Sequence, residues 1–407
     1  MRNFKWTMCI LLAVSIFRFG NADALNVLNL SDLIEEAKLH NPEILAAAAR
    51  YEAARSRISG FRHLMDPMID IEFAGNMRMY SISQQFPFPT KLGTLSKFAK
   101  TEAQEYENEY RQKEQEIINR VKKYYAQLFL IHRKTETLEE SIVFLNQLFH
   151  IASLNYAIGK VPQADVLRAQ VELAKAENDL LTLIDDRAVI EARLNILLNR
   201  SPDEKLGISE VVDTSLISME INELYDLAKE YRPTLKAFRM RFKKAQVMLS
   251  LSKQKYLPDF MIKYTQQEMD YSFTDRKFMF GLTVPIWFWG KQNDMVREMN
   301  ANLKMAEALY QHMENMVLLA VKEAAVMVDK NRRTMMLYQN SIIPQAEASL
   351  NSSLAAYEAN QIDFLSLLAS EKILIQSELD YYRAQADLFI AVADLEEAVG
   401  MDLINGE

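Results

Sequence analysis

The run from Thr94 to Ile158 holds about 65 residues without a glycine or a proline, where an ordinary globular helix has roughly 8–20. Its seam reads Ile117, Val121, Tyr124, Leu128, Ile131, Thr135, Leu138, Ile142, Leu145, Phe149, Ala152, Tyr156. Steps of four and three alternate without a slip. That is a 3.5-residue period, which winds a helix into a left-handed supercoil with its neighbours. At 1.5 Å per residue the rod reaches roughly 100 Å. A compact domain has no room for such a rod, so this chain acts across a distance.

The N-terminus reads as an export address over residues 1–24. Arg2 and Lys5 precede a short apolar run, Trp6 to Phe17, and Ala22-Asp23-Ala24 offers a small-x-small cleavage site. The single cysteine, Cys9, lies inside that run and lacks the residues of a lipobox, which leaves the mature chain without a disulfide. No later stretch is long and apolar enough for a transmembrane helix, so any membrane spanning falls to strands. The net charge of −8 and the lack of basic runs exclude nucleic acid as a natural partner.

The chain says one thing twice. Helix is expected from Leu30, with Ser31 as its cap, a break at Asn41-Pro42 and a continuation to Leu64. A β-hairpin follows over about 68–87, then long helices over about 91–158 and 163–199. After a linker, Ala37-Lys-Leu-His-Asn-Pro42 returns as Ala228-Lys-Glu-Tyr-Arg-Pro233, and Pro67 returns as Pro258. A second hairpin is expected over about 259–285, with strands Asp259 to Gln267 and Lys277 to Val284, and long helices over about 291–356 and 364–399, with Pro344 the one irregularity. Tyr156-Ala-Ile-Gly159 is answered by Tyr357-Glu-Ala-Asn360. The expected division is a first repeat over 25–217 and a second over 218–407.

The strands alternate cleanly. Ile69, Ile71 and Phe73 share one face against Asp70 and Glu72, and Phe278, Phe280, Leu282 and Val284 share one against Met279, Gly281 and Thr283. Such strands suit a transmembrane β-barrel, and equally a half-buried soluble sheet. Two lone hairpins cannot bury their own edges, and four strands close no barrel. Either the sheet is soluble or several copies pool their strands.

At this point the chain resembles the TolC-type outer-membrane efflux proteins. The likeness rests on the tandem hairpin-plus-helices plan and on the turn Tyr156-x-x-Gly159-Lys-Val-Pro-Gln-Ala-Asp165-Val-Leu-Arg-Ala-Gln170. Ile82-Ser-Gln-Gln-Phe-Pro-Phe-Pro-Thr-Lys91 is similar to the hairpin exit of the family's heavy-metal branch, with Thr90 where that branch usually has glycine. The resemblance implies a mainly α fold with a small β part, assembled as a homotrimer. Its twelve-stranded outer-membrane β-barrel would be continued by a periplasmic α-helical barrel. It implies the exit duct of a tripartite pump, with a periplasmic adaptor (membrane fusion protein), an inner-membrane RND-type transporter and outer-membrane lipid as partners, and neither cofactor nor catalysis. It assigns adaptor contact to Gly159, Lys160, Val161, Asn360, Gln361 and Ile362. It assigns a gate network to Tyr156, Asp165 and Tyr357. The family's second-tip aspartates would fall at Ser366 and Ala369, so that ring does not carry over; Asp363 or Glu371 is the candidate substitute.

The residues themselves offer no rival chemistry. His40, His63, His132, His150 and His312 are scattered, with no zinc spacing. Methionines crowd the first hairpin (Met65, Met68, Met77, Met79) and the third long helix (Met295, Met299, Met313, Met316). They read as packing rather than as a copper site. The segment Glu102–Glu116 reads as a solvated helix face. A passive export duct and a periplasmic coiled-coil scaffold both remain open from the residues alone, and so does the duct's cargo, whether heavy-metal cations, drugs or protein.

Overall fold

A computed structural model describes residues 27–209, 220–269, 271–359 and 361–403. The expected export segment, most of the linker and Asn360 lie outside these residues. The chain opens with β1 (Val27–Leu28), α1 (Leu30–His40) and α2 (Pro42–Gly60), then β2 (Met68–Ala74) and β3 (Met77–Phe86). The rod α3 (Pro89–Ala157) and the returning α4 (Gln163–Leu197) follow, then β4 (Ile208–Ser209). The second half has α5 (Ile221–Tyr231), α6 (Pro233–Gln254), β5 (Asp259–Met269) and β6 (Ser272–Thr283). A π-helical turn (Phe288–Gln292) leads into α7 (Asn293–Leu337). A second π turn (Tyr338–Ile342) joins α7 to α8 (Ile343–Glu358), and α9 (Phe364–Val399) returns.

The rod is real: α3 runs 69 residues, about 100 Å, and starts at Pro89, just ahead of the expected Lys91, because proline fits the first turn of a helix, where no N–H is needed. Its seam residues Ile117, Val121, Leu128, Ile131, Leu145 and Ala152 are buried, packed against α4 and α9. Pro344 does break the third rod. Its ring and missing N–H disturb the preceding turn, and the chain absorbs the fault as the π turn at Tyr338–Ile342.

The two mid-height cores are built from matching places. Leu33, Ala37, Ile44, Val121, Leu194 and Leu197 lie in one; Leu224, Ala228, Leu235, Val321, Leu395 and Ala398 lie in the other. In both, the residue before the proline closes the end of the returning helix. Asn41 Nδ2 donates to the Leu197 carbonyl at 2.9 Å, and Arg232 donates to the Ala398 carbonyl at 2.9 Å. Both returning helices then end on a positive φ, at Asn199 (59°) and Gly400 (91°). A Cβ on Gly400 would stand 2.6 Å from Arg232 Cα, so this corner admits only glycine.

The two hairpins form one antiparallel sheet in the order β2-β3-β5-β6. They join through β3 and β5, from Met77↔Met269 to Phe86↔Phe260. Among the described residues, the outer strands β2 and β6 each keep one unpaired edge.

Four local expectations need correction. The cap of α1 is Asn29, whose side chain accepts the Ser31 N–H at 3.0 Å, rather than Ser31 itself. Helix α2 stops at Gly60, before Leu64. β6 starts at Ser272, ahead of the expected Lys277, with a register shift opposite Gln267/Glu268 that absorbs the mismatch. Finally, the Glu102–Glu116 face is not simply solvated. Glu105 is buried and paired with Arg241 (2.7 Å) and Lys244 of α6, and Glu109 also reaches Arg241 (2.6 Å). Two distant segments brought together supply cations that the local sequence does not show.

Candidate functional site

The molecule has two working ends, and the long helices set the distance between them. At one end is the sheet. Ile69, Ile82, Tyr264 and Phe278 lie in register across its four strands, as do Phe86, Phe260 and Leu282 across three. On this face Ile69 is 71% exposed, Phe278 70% and Phe280 78%. The opposite face carries Asp70, Ser81, Lys263 and Thr265, with Lys263 paired to Asp70 at 3.3 Å. An apolar sheet face this open cannot be left in water. The 12 residues of β6, at about 3.4 Å each and tilted by about 40°, span about 30 Å, the thickness of a bilayer's hydrocarbon core.

The sheet is fastened to the rods by one buried lysine. Lys91, in the first turn of α3, donates to Asp259 at 2.7 Å and to the Leu257 carbonyl at 2.9 Å. Asp259 also accepts the Phe88 N–H at 2.9 Å. The exit of the first hairpin is thereby held to the entry of the second.

At the other end are the two helical turns. Helix α3 closes in a Schellman motif: Gly159 N–H donates to the Tyr156 carbonyl and Lys160 N–H to the Asn155 carbonyl, both at 2.9 Å. Gly159 takes φ 72° at the turn, with open space around it. Gly159 and Lys160 are exposed, and Val161 is half-buried. The second turn repeats the long closing bond, from Gln361 N–H to the Ala356 carbonyl at 2.8 Å. Gln361 is exposed, while Ile362 packs on the tip core of Leu148, Ala152, Ala169, Phe364 and Leu367.

The gate candidates divide. Tyr357 is buried, its ring edge-on to Phe364 at 6.0 Å, and its hydroxyl lies beside Asn155 and Asp165 of the first turn. That hydroxyl makes no hydrogen bond of good geometry. Burial, reinforced by the Asp165 charge, holds its pKa above the ordinary phenol value. Asp165 is itself buried, 3.6 Å from Arg168. The structure therefore brings Tyr357 and Asp165 together and adds Asn155, which the sequence reading missed. Its position, one residue before Tyr156 and opposite the second turn, is set by packing alone. Tyr156 is exposed. Asp363 is the cap of α9: its carboxylate accepts the Ser366 N–H at 2.9 Å and the Ser366 hydroxyl, which hold its pKa down. Glu371, further along α9, is buried against the Ser141 hydroxyl at 2.6 Å, and burial raises its pKa. Among the described residues no cluster of His, Cys, Asp and Glu could hold a metal ion, and no helix is long and apolar enough to cross a membrane.

The profile of the outer membrane efflux protein family matches residues 33–200 and 224–401, nearly all of the described chain. The chain belongs to that family. It is an outer-membrane protein whose long helices extend into the periplasm. Among its relatives is the cobalt-zinc-cadmium resistance protein CzcC of Cupriavidus metallidurans, 20% identical over 61% of this chain and 59% of that protein's length. The fold is shared with the outer membrane protein VceC of Vibrio cholerae, at TM-score 0.78, 18% identity and coverage of 92% and 96% of the two chains. It is also shared with CusC, a transmembrane channel, at TM-score 0.83, 14% identity and coverage of 95% and 96%.

Proposed function

We propose that this protein is the exit duct of a tripartite efflux system, passively conducting what an inner-membrane RND-type transporter delivers through a periplasmic adaptor. One observation carries the proposal: a four-stranded sheet with one apolar face and two unpaired edges, continued by rods of about 100 Å. A membrane tolerates no open strand edge, so β6 of one copy must pair with β2 of another. Three copies give twelve strands and a homotrimeric barrel, and the helices continue it as a tunnel. Two repeats, 25–217 and 218–407, each provide one hairpin and one pair of long helices, and residues 1–24 direct export. The turns at Gly159–Val161 and Asn360–Ile362 face the adaptor, and Tyr357 with Asp165 ties the two turns of one copy together. The chemistry is transport without catalysis.

The resemblance to the cobalt-zinc-cadmium resistance protein favours heavy-metal cations as cargo. Deleting the gene should sensitise cells to cobalt, zinc, cadmium or copper salts. Sensitivity confined to dyes and detergents would remove the metal assignment and keep the duct. Gly159→Glu tests the tip: φ 72° strains any side chain there, and a carboxylate alters the docking surface. Trimers should persist on a native gel while efflux falls. Unchanged efflux would count against the tip as the adaptor contact.

A further inference from the structure

The first turns of α3 and the facing stretch of α6 enclose a groove of about 600 Å³. Three lysines line it, Lys97 and Lys100 from α3 and Lys243 from α6. All three are exposed, and none is paired with a carboxylate of a described residue. No carboxylate lines the groove, and Gln104, Gln246 and Ser250 add amide and hydroxyl groups.

The sequence of the two helices explains the imbalance. Helix α6 carries Lys236, Arg239, Arg241, Lys243, Lys244 and Lys253, and neither Asp nor Glu. Arg241 and Lys244 are neutralised by Glu105 and Glu109 of α3. Lys243, next to Lys244 in the chain, lies in the groove instead and has no such partner. The first carboxylate of α3 is Glu102, which is engaged elsewhere, 3.5 Å from Arg57 of α2. A chain of net charge −8 thus gathers three uncompensated cations in one concave place.

Like charges held together repel one another, and a bound anion relieves that repulsion. Ammonium groups are strong donors to phosphate oxygens, and the volume falls within the range of small-molecule sites. A metal cation finds no ligand there.

We propose that Lys97, Lys100 and Lys243 form a binding site for a phosphate-bearing anion with room for more than one phosphate group. The site is complete within one protomer and does not depend on which cargo the duct carries. Its occupant is either a soluble phosphorylated solute or the headgroup of an anionic phospholipid.

Pyrophosphate is the probe, titrated calorimetrically at low salt into the full-length protein in a neutral detergent. Saturable binding is expected, weakened about tenfold or more when Lys97, Lys100 and Lys243 are all replaced by Gln. The triple Lys→Arg variant, which keeps the charges, should retain it. Lys205→Gln, an exposed lysine outside the groove, should change nothing. Absence of saturable binding, or equal weakening in Lys205→Gln, would overturn the site. Repeating the titration in phosphatidylcholine nanodiscs with and without phosphatidylglycerol identifies the occupant. Binding abolished by phosphatidylglycerol supports a headgroup in the site, and binding that persists supports a soluble solute.

Discussion

His132 shows how a single side chain can be fixed by its surroundings. It is buried on α3, and its Nδ1 accepts the Ser209 N–H at 3.3 Å and faces the Ser209 hydroxyl at 3.1 Å. The proton therefore sits on Nε2. Burial first, then the positive charges of Arg187 and Arg133, lower its pKa from 6.5 to about 4. Because the unfolded chain binds this proton more readily, the contribution to stability is complete above pH 6.5. It is lost as pH falls toward 4, by up to about 3 kcal/mol. Thermal midpoints measured across that window should fall in the wild type. They should fall less in His132→Asn, which keeps an acceptor for Ser209 but does not titrate. Nothing in the spacing of the histidines distinguishes His132 from the other four, since its partner is 77 residues away.

At the scale of elements, each long helix is specified locally and finished remotely. The 3.5-residue seam and the absence of breakers suffice to predict α3, and Pro344 suffices to predict a fault in its counterpart. The form of the fault, a π turn rather than a kinked end, depends on α9 packing alongside and holding both flanks in line. Pro344→Ala should let the α-helical pattern close through Tyr338–Ile342, removing a proline penalty of up to about 3 kcal/mol. Amide exchange over that turn, fast in the wild type relative to α7 and α8, should slow in the variant. Equal exchange in both proteins would show that the turn is imposed by packing and not by the proline. The caps follow the same division. Asn41 was legible as a break before Pro42, but its bond to the Leu197 carbonyl joins residues 156 apart.

At the scale of the whole molecule, the alternation of the strands carries the most consequence. Phe280, 78% exposed on the apolar face of the sheet, belongs in lipid. Phe280→Lys should cost about 2–4 kcal/mol of insertion near the bilayer midplane. The heat-modifiable, membrane-inserted fraction should drop accordingly. Thr265→Lys, on the opposite face, should leave that fraction unchanged. Equal losses in both variants would mean that the two faces are not lipid and lumen. The order β2-β3-β5-β6 was not legible, because alternation assigns faces but says nothing about which hairpin pairs with which.

The sequence alone determined what repeats over short range. The helical period, the strand alternation, the punctuating prolines and glycines and the duplication of the plan are all local signals, and each follows from backbone geometry a few residues at a time. Only the tertiary structure decided what depends on distant segments meeting. It joined the hairpins through β3 and β5, buried Lys91 on Asp259, gave Glu105 its cations from α6 and set Asn155 beside Tyr357. The physical reason is that a buried charge or hydroxyl is governed by its neighbours in space. A seam can be counted along the chain; a partner has to be brought there by packing.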